Sequence, residues 1–391
     1  MLGAPLRPPV LASPSARAAP LMARMPRLAH LARALAPAAA LLPLLPRPER
    51  RPKVGPGPRP AGAARSLAVR CQGSELRPLY PEIEARKTGS MKTRDGKHEI
   101  YYEVSGNPKG KPAVFLHGGP GDGCSPKHRR LFDPEAYCVI LFDQRGAGQS
   151  QPAGSLEENT TEKLLEDMEQ LRELLGLESW MLVGGSWGSA LALSYATRFP
   201  ERVQGMVLYS VFVPSQEAIE FPYSAEGAGL FFPEAYEALL RAVPVEERKD
   251  VIAALAKRVT SPDPAVKLPA VSAYVSWILR LLTLTPDEAL IAEAASKPEE
   301  AGPGPGIEMH YMVNRCFLDV DRLLGDLHRI SHLPVKILHG RNDLICPPSN
   351  AWRLRQHLPL AQLTFVPLAG HSSSFAPALK SAIIEAIDSF R

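Results

Sequence analysis

Met181-Leu182-Val183-Gly184-Gly185-Ser186-Trp187-Gly188-Ser189 decides how this chain is read. Three apolar residues run straight into a glycine-rich turn, and the helix-forming stretch Ser189–Arg198 follows. A short apolar run bounded by glycine reads as a buried parallel strand. Ser186 is therefore predicted at a strand-to-helix turn, where flanking glycines remove the Cβ clashes of a strained backbone. The hydroxyl would point out of the sheet, and the helix start behind it favours developing negative charge. In this context G-x-S-x-G points to a nucleophilic serine. The plain alternative is a helix N-cap.

Working outward, Ala113–Leu116, Val139–Phe142 and Met206–Tyr209 are similar apolar runs, and His98–Val104 alternates like an outer antiparallel strand. Thr161–Leu175 and Ser189–Arg198 have helical spacing. This alternation predicts an α/β protein, a mostly parallel twisted sheet with helices on both faces. It stops at residue 216. Residues 216–330 read as helices (Pro233–Ala242, Glu246–Val259, Pro269–Leu284, Pro286–Ala295, Met309–Leu327), with a loop over Pro298–Pro305. Strands return at Val335–Leu338 and Leu363–Val366, and Ala378–Phe390 closes the chain as a helix. The expected organisation is a core over 76–215 and 331–391, interrupted by a helical insertion over 216–330.

A serine hydroxyl needs a base, and the base an orienting acid. Sheets carrying such an elbow keep the chain order Ser, acid, His, with the acid after a late strand and His after the last one. Asp343 follows Val335–Leu338, and His371 follows Leu363–Val366. Asp319, Asp321 and Asp326 compete with Asp343 by order alone, but they read as solvated acids of the insertion. His117-Gly118-Gly119-Pro120-Gly121 follows an early strand. Its free amides suit an oxyanion, so the donors are predicted to be Gly119 (or Gly118) and Trp187. A phosphate-cradling loop fits poorly, because no G-K-[ST] follows.

HGGPG at 117–121, DQRGAGQS at 143–150, GGSWGS at 184–189, HGRND at 339–343 and GHS at 370–372 together resemble the proline iminopeptidase family of the α/β-hydrolase superfamily. The resemblance runs from about residue 76 to 391. It implies the α/β-hydrolase fold, triad roles for Ser186, Asp343 and His371, and a helical cap over 216–330. It also implies cleavage of an N-terminal residue, usually proline, from short peptides. Glu308 in Ile307-Glu308-Met309-His310-Tyr311 matches the glutamate that binds the free amine. A second family glutamate follows a tryptophan, and here Trp277 is followed by Ile278. One carboxylate fewer would cost about 1.5–3 kcal/mol, roughly ten- to a hundredfold in affinity. Glu226 is a candidate replacement. Trp187, Phe231, Phe232 and Trp277 are candidates to pack a pyrrolidine ring. No metal or organic cofactor is required. Two other readings stay open: a serine esterase or amidase that needs no free amine, and a ligand-sensing member of the fold.

The composition narrows the class further. The 391 residues are 45% apolar and 22% charged, ordinary for a globular protein. The five cysteines (71, 124, 138, 316, 346) include no C-x-x-C pair, which argues against a zinc ribbon or redox motif. Residues 1–74 hold twelve Arg/Lys and one acid, a charge of +11. Taking this from the chain's +4 leaves −7 on the body, so the basic balance does not signal nucleic acid. Prolines and Arg24, Arg27 and Arg33 interrupt the front segment's apolar run too often for a membrane span or a secretory core. An Arg-rich, acid-poor start reads as a disordered organelle transit peptide over 1–71, chloroplast first and mitochondrion second, with an unaddressed tail of a cytoplasmic protein as the plain alternative.

Overall fold

The computed structural model describes residues 76–391 and the backbone of the two-residue strand Ala68–Val69 (β1). Apart from that strand, the transit peptide expected over 1–71 lies outside the described residues. The other strands are β2 (Lys87–Lys92), β3 (Glu99–Gly106), β4 (Lys111–Leu116), β5 (Tyr137–Phe142), β6 (Trp180–Gly185), β7 (Val203–Tyr209), β8 (Val335–Gly340) and β9 (Gln362–Val366). They form one sheet in the order β1-β9-β8-β7-β6-β4-β5-β3-β2. Pairing is parallel from β1 to β5 and antiparallel at β3 and β2.

The sheet is buried on both faces because successive residues of its central strands serve different layers. In β4, Val114 and Leu116 pack with Leu182 of β6 on one side. Ala113 and Phe115 pack with Met181 and Val183 on the other. The first layer is closed by α2 (Thr161–Leu174) and α3 (Trp187–Arg198). The second is closed by α12 (Pro377–Asp388) through Leu379, Ile383 and Ile387. The short α1 (Pro126–Arg129) and α11 (Ser349–His357) complete the core.

Between β7 and β8 every regular element is helical: α4 (Gln216–Glu220), α5 (Pro233–Arg241), α6 (Val251–Val259), α7 (Pro264–Leu281), α8 (Glu288–Ala295), α9 (Gly304–Val313) and α10 (Val320–Asp326), with 3-10 turns between them. Local capping moves several expected boundaries. Asp250 accepts a hydrogen bond from the Ala253 amide and starts α6 at Val251, not Glu246. Asp263 caps α7 with Pro264 in its first turn, so Pro269 lies inside the helix instead of opening it. The continuous helix expected over Met309–Leu327 is broken at Cys316, whose φ of 54° is left-handed. The loop expected over Pro298–Pro305 instead holds a 3-10 turn and the first residues of α9. At the sheet edge β2, which has little apolar alternation, lies outside β3, so His98–Val104 does not mark the outer strand.

Candidate active site

Ser186 joins β6 to α3 with φ 53° and ψ −127°. That conformation costs a non-glycine residue about 1–3 kcal/mol, and it persists only where the surroundings impose it. Here they do. The Ser186 amide donates to the Tyr209 carbonyl at 3.1 Å, and Ser189 Oγ donates to the Ser186 carbonyl at 2.6 Å. A side chain on Gly184 would stand 2.3 Å from the Gly188 carbonyl oxygen, and one on Gly188 only 2.1 Å from that of Leu116. Two glycines thus let strand, turn and helix close on each other while Ser186 keeps accessible surface.

Asp343 and His371 come from the loops after β8 and β9. His371 Nδ1 lies 3.0 and 2.8 Å from the two Asp343 carboxylate oxygens. Asp343 Oδ1 also accepts the amides of Ile345 (3.0 Å) and Cys346 (2.8 Å). Burial opposes the Asp343 charge, but the His371 imidazole outweighs it and the carboxyl titrates below its ordinary value. Burial likewise opposes the His371 cation, and the Asp343 charge and hydrogen bond overcome it, raising its pKa. His339 Nε2 lies 3.6 Å from Asp343, yet its ring is engaged elsewhere. Nε2 pairs with the Cys346 carbonyl at 2.8 Å and Nδ1 accepts the Val211 amide at 2.9 Å, which fits a neutral imidazole. Among the described residues no hydrogen bond joins the Ser186 hydroxyl to His371. The Ser186 side chain interacts with the thiol of Cys346, whose own amide binds Asp343. The acid–base contact of the expected triad is formed and the base–nucleophile contact is open; such contacts often tighten only with substrate bound.

The motif residues around Ser186 act as braces. Gln144 Nε2 donates to the His117 carbonyl (3.0 Å), and Gln144 Oε1 accepts Trp187 Nε1 (2.8 Å). One side chain therefore holds both walls beside Ser186. Asp143 binds the amides of Cys124 (2.5 Å) and Gln149 (2.8 Å), with burial raising its pKa to about 6. Arg145 clamps Asp167 with bonds of 2.6 and 2.8 Å and reaches Asp95 at 2.7 Å. Among the described residues the Gly119 and Trp187 amides donate to no protein acceptor, as oxyanion donors require.

Glu308 lies in the second turn of α9. The Tyr274 hydroxyl donates to one of its oxygens at 2.5 Å and the Tyr223 hydroxyl to the other at 2.7 Å. Burial raises its pKa to about 7; the two hydroxyls oppose that, and the Asp122 charge adds to it. Neither tyrosine is signalled by local sequence, because they arrive from separate insertion elements.

Other expectations fare differently. Ile278 is half-buried against the core. Glu226 is exposed, and among the described residues nothing ties it to Glu308. Trp187 and Trp277 are 0% and 1% exposed, so neither ring can pack a substrate. Trp277 is instead fixed to the Pro222 carbonyl and Trp187 packs on Tyr311. Phe231 is 59% exposed. Asp319 caps α10 through the Arg322 amide and Asp321 points outward. Among the described residues no group of three His, Cys, Asp or Glu is placed to hold a metal, and no helix is long and apolar enough to cross a membrane.

Sheet order, elbow and acid–base pair define an α/β hydrolase. Residues 111–377 match the family model of the alpha/beta hydrolase fold. A proline iminopeptidase of Xylella fastidiosa strain Temecula1 is 45% identical over 316 residues, covering 81% of this chain and 100% of that protein. The proline iminopeptidase of Arabidopsis thaliana is 40% identical, covering 79% of this chain and 81% of its own length. Among solved structures, a proline iminopeptidase-related protein of Thermus thermophilus superposes with a TM-score of 0.53 at 26% identity, covering 78% of this chain and 98% of that one. The chain belongs to the proline iminopeptidase family.

Proposed function

We propose that this protein is a serine exopeptidase that releases an N-terminal residue, preferentially proline, from short peptides through an acyl-enzyme. The family relationship supports the activity. The observation that carries the free-amine requirement is Glu308, an acid held by two tyrosine hydroxyls and sensing the charges of Asp122 and His371. A buried carboxylate accepts a charge-assisted hydrogen bond from an ammonium group.

In the proposed cycle, substrate seats against the elbow and the Ser186 hydroxyl turns to His371. His371 Nε2 takes its proton as Oγ attacks the first peptide carbonyl. The Gly119 and Trp187 amides receive the oxyanion, and Asp343 holds the imidazole tautomer and its charged form. His371 then protonates the leaving amine. Water, deprotonated by His371, next releases the N-terminal residue and restores Ser186. Residues 216–330 act as a cap that carries Glu308 and its tyrosines to the reacting bond. The +11 front segment serves as an organelle transit peptide, with the chloroplast as its proposed destination.

Ile278 favours a second reading, a hydrolase indifferent to the amine. Initial rates on a prolyl-arylamide, its N-acetylated form and an aryl ester, with Ser186→Ala as control, separate the readings. Peptidase function predicts strong preference for the free amine and no activity in the variant. Equal use of the acetylated form would favour the esterase or amidase, and inertness on all three would favour a ligand sensor.

A further inference from the structure

Asp122 follows the HGGPG segment, and nothing in its sequence context marks it out. Its backbone is fixed by a hydrogen bond from its amide to the Gly118 carbonyl at 3.3 Å. This curls the loop so that the carboxylate returns over Gly118 and Gly119. A side-chain carbon placed on Gly118 would stand 3.3 Å from Asp122 Oδ2 and 3.4 Å from Ser186 Cβ. One placed on Gly119 would stand 3.2 Å from Asp122 Oδ1. The carboxylate and the nucleophile therefore flank the same glycine, and the missing side chain leaves space between them.

Asp122 is accessible to solvent, yet burial is the largest influence on its titration, and it raises the pKa against the charges of His117 and His371. Among the described residues no amide or side chain donates a hydrogen bond to this carboxylate. Its charge is felt by His371, Glu308 and Tyr274, so it lies within electrostatic reach of the groups around Ser186. An ionisable group held there without a partner calls for a cation from outside.

We propose that Asp122 is the second carboxylate that receives the substrate's α-ammonium, acting together with Glu308 and selecting unblocked N-termini. This rests on the peptidase reading above. The spacing suits it: within one residue the α-nitrogen is two bonds from the carbonyl carbon, about 2.5 Å. Its acceptor must then stand close beside the nucleophile, as Asp122 does. The donor count suits it too. A protonated N-terminal proline carries two N–H bonds, and two carboxylates accept one each. Asp122 thus offers what Ile278 does not, from a loop of the core instead of a helix of the insertion. As a specificity residue it holds the amine and takes no proton from the reacting bond.

The test uses the full chain. Calorimetric affinity for L-prolinamide and for N-acetyl-L-prolinamide is compared between Ser186→Ala and Ser186→Ala/Asp122→Asn. Loss of the carboxylate charge is expected to weaken prolinamide binding roughly ten- to a hundredfold, with Asp122→Glu restoring much of it. In the active enzyme Asp122→Asn should lower the ratio of kcat/KM on free over acetylated prolyl-arylamide by a similar factor, mainly through KM. Unchanged prolinamide affinity overturns the proposal. So does an equal loss on both substrates, which would show that Asp122 acts through the loop or His371. Should the wild type leave prolyl-arylamides intact, the peptidase reading fails, while the binding comparison still decides Asp122.

Discussion

At the scale of single residues, the site is a set of opposed charges whose protonation sets the working pH. The proposed base, His371, is active when neutral, and its pKa is raised, so rates should fall as pH drops through a value above 6.5, the ordinary histidine value. Glu308 must be ionised to attract a cation. Its pKa of about 7 adds a second loss on the same acidic side, for free-amine substrates alone. Those substrates also lose their charge as the α-amine titrates, ordinarily near 7.7–8.0. We expect a bell-shaped kcat/KM profile for a prolyl-arylamide and a single acidic limb for an aryl ester. Glu308→Gln should raise KM for the arylamide roughly ten- to a hundredfold and remove the Glu308 contribution. Identical profiles for both substrates in the wild type would refute this role. The three proposed catalytic residues were legible because each lies at a strand end whose apolar run is visible. Asp122, Tyr223 and Tyr274 were not, since their meaning arises only when a loop and two insertion elements meet.

At the scale of elements, the elbow depends on close backbone approach. Gly188→Ala would drive a methyl group against the Leu116 carbonyl, a contact of 2.1 Å with backbone that cannot rotate away. Overpacking of this kind costs typically 1–3 kcal/mol. It should also separate the two proposed oxyanion amides, so urea denaturation should show the instability while kcat falls more steeply than folded fraction explains. Preserved kcat would sink the role given to those amides. Boundaries in the insertion were the least legible part. The readings over 246–259 and 269–284 followed apolar spacing, whereas Asp250 and Asp263 set where α6 and α7 begin. The break at Cys316 has no local breaker residue to announce it.

Arg145 ties three elements together, holding α2 through Asp167 and the β2–β3 turn through Asp95. Arg145→Met would leave Asp167, 2% exposed, as an unpaired buried acid. Breaking one side of such a pair typically costs 3–5 kcal/mol. Burial already raises the Asp167 pKa against the pull of Arg145, and removing the cation raises it further. The deficit should therefore be largest at neutral pH and shrink on acidification as Asp167 takes up a proton. Denaturation midpoints at pH 7 and 5 check both the size and the trend.

At the scale of the whole molecule, charge is unevenly divided, with +11 on residues 1–74 and −7 on the rest. Processing of the proposed transit peptide would turn a basic precursor into an acidic enzyme. Incubation of the labelled full chain with isolated chloroplasts should yield a shorter, protease-protected product of lower isoelectric point. Uptake by mitochondria alone would move the address. The central strands of the core were legible because each is an apolar run bounded by turn residues, whereas the edge strand β2, with little apolar alternation, was not; the insertion was legible only as helical, since its partners are set by tertiary packing.

The Gln144 amide, bound at once to the His117 carbonyl and the Trp187 indole, works like a crossbeam between two gateposts. Shortening it would let both posts lean together. A residue that never meets the peptide would then surface in an inhibitor-resistance or slow-turnover screen as readily as the serine itself.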